Sequence, residues 1–132
     1  MSLITIPISH GELIDKITIL EIKAAHIGDA AKLANVCTEL DLLNRTWNAD
    51  PAARIDVAAE RTRLKAVNQK LWDIEDRIRL KERAQMFDAE FIELARAVYF
   101  TNDERAAIKR EINAKLGSTL IEEKSYQDYK IG

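Results

Sequence analysis

Carboxylates spaced along helical stretches are the groups in this sequence best suited to chemistry. Glu12 and Asp15 stand three apart, as do Glu90 and Glu93, so each pair falls on neighbouring turns of one helix face. A hard cation such as Mg²⁺ needs several oxygen ligands, and all-α nucleotide pyrophosphohydrolases hold it with pairs of this kind. Here the two pairs lie far apart in the chain, and a solvated helix face is the better account of them. We therefore expect no metal site and no cofactor.

The remaining catalytic chemistries find little support. His10 and His26 are the only histidines, and neither follows a glutamate by three residues. There is no His-Glu-x-x-His, no Cys-x-x-Cys, no glycine-rich phosphate loop and no nucleophile elbow. Cys37, the single cysteine, sits at helical spacing among Leu33, Val36 and Leu40, which predicts a buried thiol acting as a small hydrophobe. No residue is assigned a catalytic role.

More informative are polar residues set inside apolar stretches. Asp15, Thr18 and Glu21 step through an isoleucine-rich segment, and Asn68, Asp73 and Asp76 surround Trp72. Asn102, Asp103, Arg105, Lys109 and Arg110 crowd a third segment. If those three segments pack together, acids and bases meet. The candidate ligand-binding cluster is Asp15, Glu21, Asp73, Asp76, Asn102, Asp103, Arg105 and Lys109. The competing account is a set of structural ion pairs and caps. A binding site requires a concavity where such groups converge and some stay unpaired, whereas an interaction module satisfies them mutually and leaves an apolar patch elsewhere. A further enzymatic alternative is suggested by Glu12–Ile17, which has some similarity to the opening helix of all-α chorismate mutases. Such a site needs cations on a dicarboxylate, and Lys16, Lys23, Arg77 and Lys109 are the candidates.

The elements that must position these residues are helices. The chain has 132 residues, enough for one domain with a real core. Hydrophobic residues make up 47% and charged residues 32%, with only four glycines and two prolines, a mixture that favours long helices. Met1 to Ile8 alternates as a short strand or extended arm, restricted by Pro7 to an edge. Ser9-His10-Gly11-Glu12 reads as a capping box opening helix one, apolar on nearly every side. Gly28, suited to a left-handed stop, and Asp29, a cap, predict a tight antiparallel hairpin with helix two. Helix two carries the stripe Leu33, Val36, Leu40, Leu43, Trp47.

Asp50-Pro51 then predicts the start of a long third helix reaching about Gln85. Its seam is Val57, Leu64, Leu71 and Ile78, and if Leu71 is core its truncation costs roughly 2–5 kcal/mol. Phe87-Asp88 begins helix four with the stripe Phe87, Phe91, Leu94, Val98. Thr101-Asn102-Asp103-Glu104 has the form of another capping box, so a break is expected near residue 101. Helix five would carry Ile108, Ile112 and Leu116 to Gly117. The last residues, with Leu120, Ile121, Tyr126, Tyr129 and Ile131, are too apolar for a free tail and should lie on the bundle. The fold class is all-α: an antiparallel bundle of about five helices in a single domain, residues 1–132.

A net charge of −2, from 20 basic and 22 acidic residues, argues against general attraction to nucleic acid or anionic lipid. No apolar run approaches the roughly 20 residues that span a bilayer, and no signal-peptide pattern is visible, so a cytoplasmic location is expected.

Ile8-Ser9-His10-Gly11-Glu12-Leu13-Ile14-Asp15-Lys16-Ile17-Thr18-Ile19-Leu20-Glu21-Ile22-Lys23 resembles the opening of an uncharacterised bacterial all-helical domain family, a domain of unknown function. The likeness continues in Leu71–Asp76, Phe91–Arg96, Asn102–Ala106 and Glu122–Tyr126. The resemblance implies no stated activity and no catalytic residues, only an association with surface-polysaccharide and glycosyltransferase systems. The expected function is thus a non-catalytic helical interaction or adaptor module. It would be a homodimer in view of the excess apolar surface of helix one and an arm free to pair with a neighbouring chain, with a partner protein beyond the dimer.

Overall fold

The computed structural model describes residues 2–129 and is all-helical. Its elements are α1 (His10–His26), α2 (Ala30–Ala49), a 3₁₀ turn (Pro51–Arg54), α3 (Ala58–Arg83) and α4 (Ala89–Leu116). Among the described residues no helix is long and apolar enough to cross a membrane.

α1 is the centre of the bundle, packed by α2, α3 and α4. Ser9 starts it: its hydroxyl accepts the Glu12 amide at 3.1 Å, satisfying one free donor of the first turn. Ile14 and Ile17 are fully buried, and Leu13, Leu20 and Ile22 nearly so, because three neighbours leave this helix almost no free face. α2 returns antiparallel, bringing Trp47 back beside Leu13 and Ile14 in one core with Val57, Leu64, Ile108 and Ile112. Asp29 caps it as expected, accepting the Lys32 amide at 2.9 Å.

Several local expectations fail for identifiable reasons. Gly28 does not take the left-handed conformation; of the described glycines, only Gly117 does, closing α4 with φ 67°. Asp50 caps only a 3₁₀ turn, after which the chain restarts α3 at Ala58 under buried Val57. Cys37 is exposed, since α2 packs on α1 along one edge alone. The break near residue 101 is absent and α4 runs unbroken for 28 residues, so the described residues form four α-helices rather than five. Leu94, Thr101 and Ile108, seven apart, are all buried, so the seam passes through Thr101 and overrides its capping preference. Thr101 Oγ1 is left buried without a hydrogen bond.

Leu71 and Ile78 are half-buried rather than core. α3 and α4, with 26 and 28 residues, extend about 39 and 42 Å, against about 25 Å for the 17 residues of α1. The α3–α4 hairpin therefore outruns its third helix. Residues 2–8 form no strand; Leu3, Ile4 and Ile6 are exposed in an extended arm. Beyond Gly117 the chain turns back along α4, held by ion pairs of Glu122, Glu123 and Lys124 and by Tyr129 against Tyr99 and Phe100. Leu120, Ile121 and Tyr126 are exposed rather than packed as their apolar character suggested. Ile131 lies outside the described residues.

Candidate functional site

The polar residues gather where α1 crosses α4. Asp15 is fully buried on α1. Arg105 from α4 grips it with two donors, Nε to Oδ1 at 2.9 Å and Nη2 to Oδ2. From α3, Asn68 Nδ2 donates to the same Oδ1 at 2.9 Å and to Thr18 Oγ1 at 3.0 Å, and Thr18 donates in turn to the Asp15 carbonyl at 2.8 Å. A buried carboxylate is tolerated because every strong acceptor site meets a donor. The contact with Asp15, opposed by burial, raises the Arg105 pKa.

One turn toward the N-terminus of α1, Lys109 Nζ donates to Glu12, lies 4.0 Å from Asp15 Oδ2, and reaches Glu122 of the returning tail at 3.3 Å. Burial opposes ionisation of Glu12, but the hydrogen bond and charge of Lys109, aided by Glu122 and Lys16, outweigh it and hold the carboxyl below its ordinary 4.5. The Glu12 side chain is thus drawn to α4 instead of back to Ser9. Ser9 Oγ itself donates to Glu122 at 3.4 Å.

This crossing is close because residue 11 has no side chain. A Cβ on Gly11 would stand 2.5 Å from the backbone carbonyl of Lys109 and 2.9 Å from Asn113 Oδ1. The Gly11 amide instead donates to Asn113 Oδ1 at 2.7 Å. Gly11→Ala must push α1 and α4 apart, because a carbonyl within a helix cannot rotate away. We expect a loss of about 1–3 kcal/mol despite alanine's better helix propensity. Urea unfolding followed by circular dichroism tests this, and an unchanged or raised midpoint would refute the close crossing.

The eight sequence-predicted residues do not form one site. Asp15, Arg105 and Lys109 meet as described. Asp103 faces the tail, accepting Lys124 Nζ at 2.7 Å and the Tyr129 hydroxyl at 2.5 Å; this bond, with burial, pushes the Tyr129 phenol up to about 12. Glu21 belongs to a separate set with Arg61 at 3.6 Å and Lys65 at 3.9 Å. Asp73 accepts from Gln69 at 3.3 Å, near the stacked rings of His26 and Trp72. Asp76 and Asn102 border a groove that Arg105 also edges. Sequence reasoning left Asn113 unread, although a glycine placed in the first turn of an apolar helix is a signal for close approach.

The carboxylate pairs do not combine either. Glu90 is held at the far end of the hairpin by Arg77 at 2.8 Å and Lys81 at 3.2 Å, and its pKa is lowered by those cations. Among the described residues no group of three or more His, Cys, Asp or Glu side chains is placed to hold a metal ion. Of the four cations considered for a mutase site, Lys16 and Lys109 both meet Glu12, Lys16 at 3.4 Å, while Arg77 pairs with Glu90 at the far end of the hairpin.

Two clefts flank Arg105. One, of about 1190 Å³, opens between α4 and the returning tail, from Glu12 and Lys109 at one end to Tyr99 and Tyr129 at the other. The second, a groove of about 570 Å³, lies where α1 ends against α3 and α4. Its wall is Ile19, Ile22, Leu71 and Trp72, and Asn68, Asp76, Asn102 and Arg105 edge it.

A protein-family model described as "Family of unknown function (DUF6165)" matches residues 4–130. No curated protein and no solved structure matches the chain.

Proposed function

The chain belongs to this family of unknown function, a membership that brings no activity with it, and from the geometry we propose a non-catalytic helical interaction module that works as a homodimer. What carries the reading is the contrast between a closed polar cluster and an open apolar end. Asp15, Arg105, Lys109 and Glu12 are bonded to one another. On the overhanging part of the α3–α4 hairpin, by contrast, Leu80 is 63% exposed, Phe87 54% and Ile92 57%.

Two helices without a third supply half a core. A second copy related by a two-fold axis would place a matching hairpin end against this one and complete four-helix packing. The arm residues Leu3, Ile4 and Ile6, at 78%, 92% and 65% exposed, add apolar surface left open among the described residues. A bacterial setting rests on the resemblance of the opening motif, and a cytoplasmic one suits a chain whose cysteine is exposed and unpaired.

Light scattering on the eluting protein tests the proposal. The wild-type chain is expected at twice its 15.0 kDa mass, and the double variant Phe87→Ser with Ile92→Ser at the monomer mass with helicity unchanged. A strictly monomeric wild-type protein at high concentration would overturn it.

A further inference from the structure

The second groove contains polar groups that the bundle does not satisfy. Asn68 is 5% exposed, and both Nδ2 protons are committed, to Asp15 and Thr18. The amide cannot be reversed, because Asp15 Oδ1 is an acceptor already and would repel an amide oxygen. Its Oδ1 therefore stands without a hydrogen bond among the described residues, on a side chain that lines the groove. Arg105 spends Nε and Nη2 on Asp15, which leaves Nη1 without a partner among the described residues. Asn102 and Asp76 make no hydrogen bond or ion pair among the described residues. Glu75 and Arg79, at the same rim, neutralise each other at 3.2 Å, so Asp76 keeps an uncompensated negative charge.

The spacing of these groups selects a ligand. Asn68, Trp72 and Asp76 lie at i, i+4 and i+8 on α3, a row about 12 Å long at 1.5 Å per residue. At one end an acceptor that opens to the groove, Asn68 Oδ1, sits with the donor Nη1 of Arg105 and the Asn102 amide, a combination that suits a group which both donates and accepts. At the other end is a carboxylate. Between them Trp72 and Leu71 offer an apolar wall. An extended lysine side chain spans roughly 6 Å, and a hydrogen bond of about 3 Å at each end brings the reach to about 12 Å.

We propose that this groove binds a lysine residue of a partner peptide. Its backbone amide sits between Asn68 Oδ1 and the Arg105 and Asn102 donors, its stem lies over Leu71 and Trp72, and its ammonium rests on Asp76. Lysine stems cover apolar surface in this way while the charged head stays at the rim. The proposal extends the interaction-module reading to a second surface, and its test does not depend on the oligomeric state.

The experiment is an NMR titration of the full chain with N-acetyl-lysine N-methylamide, its norleucine analogue and its glutamate analogue. The indole N–H of Trp72, assigned with Trp72→Phe, is the reporter. Saturable shifts are expected for the lysine probe, with the norleucine probe about tenfold weaker for want of the charged hydrogen bond. Asp76→Asn, at an exposed position, should erase that difference and leave norleucine binding unchanged. Equal binding of lysine and norleucine by the wild-type protein would overturn the proposal. So would a preference for glutamate, or the absence of any saturable shift.

Discussion

Arg105→Ala should destabilise the fold by about 3–5 kcal/mol, because it strands a carboxylate that water cannot reach. Asp15 is fully buried and would keep only the Asn68 donor at 2.9 Å and the more distant Lys109 at 4.0 Å. Some movement of Lys109 toward the vacated position would hold the loss near the lower end of that range. Asp15→Leu should cost less, since the Arg105 side chain, 29% exposed, can turn its charge toward solvent. Combining Asp15→Leu with Arg105→Met should recover most of the loss, as an apolar pair of similar volume removes both the charge and the need to compensate it. Urea unfolding of the two single variants and the double variant reads all three values. An Arg105→Ala midpoint indistinguishable from wild type would show that this pair does not hold α1 to α4.

Leu64→Ala is expected to cost about 2–5 kcal/mol, through lost transfer energy and the void left among close-packed neighbours. Leu64 is fully buried in the cluster that includes Leu13, Ile14, Ile17, Ile108 and Ile112, so α1, α3 and α4 would all have to shift to fill the space. Leu71→Ala, seven residues on in the same stripe, should cost less than half as much, because Leu71 is half-buried in the wall of the groove. Equal losses at the two positions, measured under the same conditions, would restore the uniform seam that the sequence pattern suggests.

That difference within one stripe shows how far the sequence could be read. Val57, Leu64, Leu71 and Ile78 repeat every seven residues, and the repeat correctly indicates a helix with a buried side. It does not say how long the neighbour is. α1 ends at His26, so the stripe passes from core to half-covered surface along its length. Thr101-Asn102-Asp103-Glu104 misleads in the opposite direction. Its side chains favour a helix start, but Leu94, Thr101 and Ile108 must share one buried face, and burial is worth more than a cap.

Asp15, Arg105 and Lys109 were legible as a polar set inside apolar helices, and they do meet. Glu21 and Asp73 carry the same signal and lie elsewhere, since residue type tells nothing about which turn of one helix faces which turn of another. Gly11 and Asn113 are more than a hundred positions apart, and only the crossing of α1 over α4 makes them partners.

What the sequence determines alone is local: helix type from the spacing of its leucines, isoleucines and valines, the caps at Ser9 and Asp29, the start of a helix at Asp88 and its end at Gly117. Each follows from contacts within one or two turns. The tertiary structure decides the rest, namely which carboxylate is buried, which amide oxygen is left facing a groove, and which hairpin end lacks a third helix. Those outcomes depend on relative helix lengths and on a crossing distance, and no periodicity within a single helix encodes either.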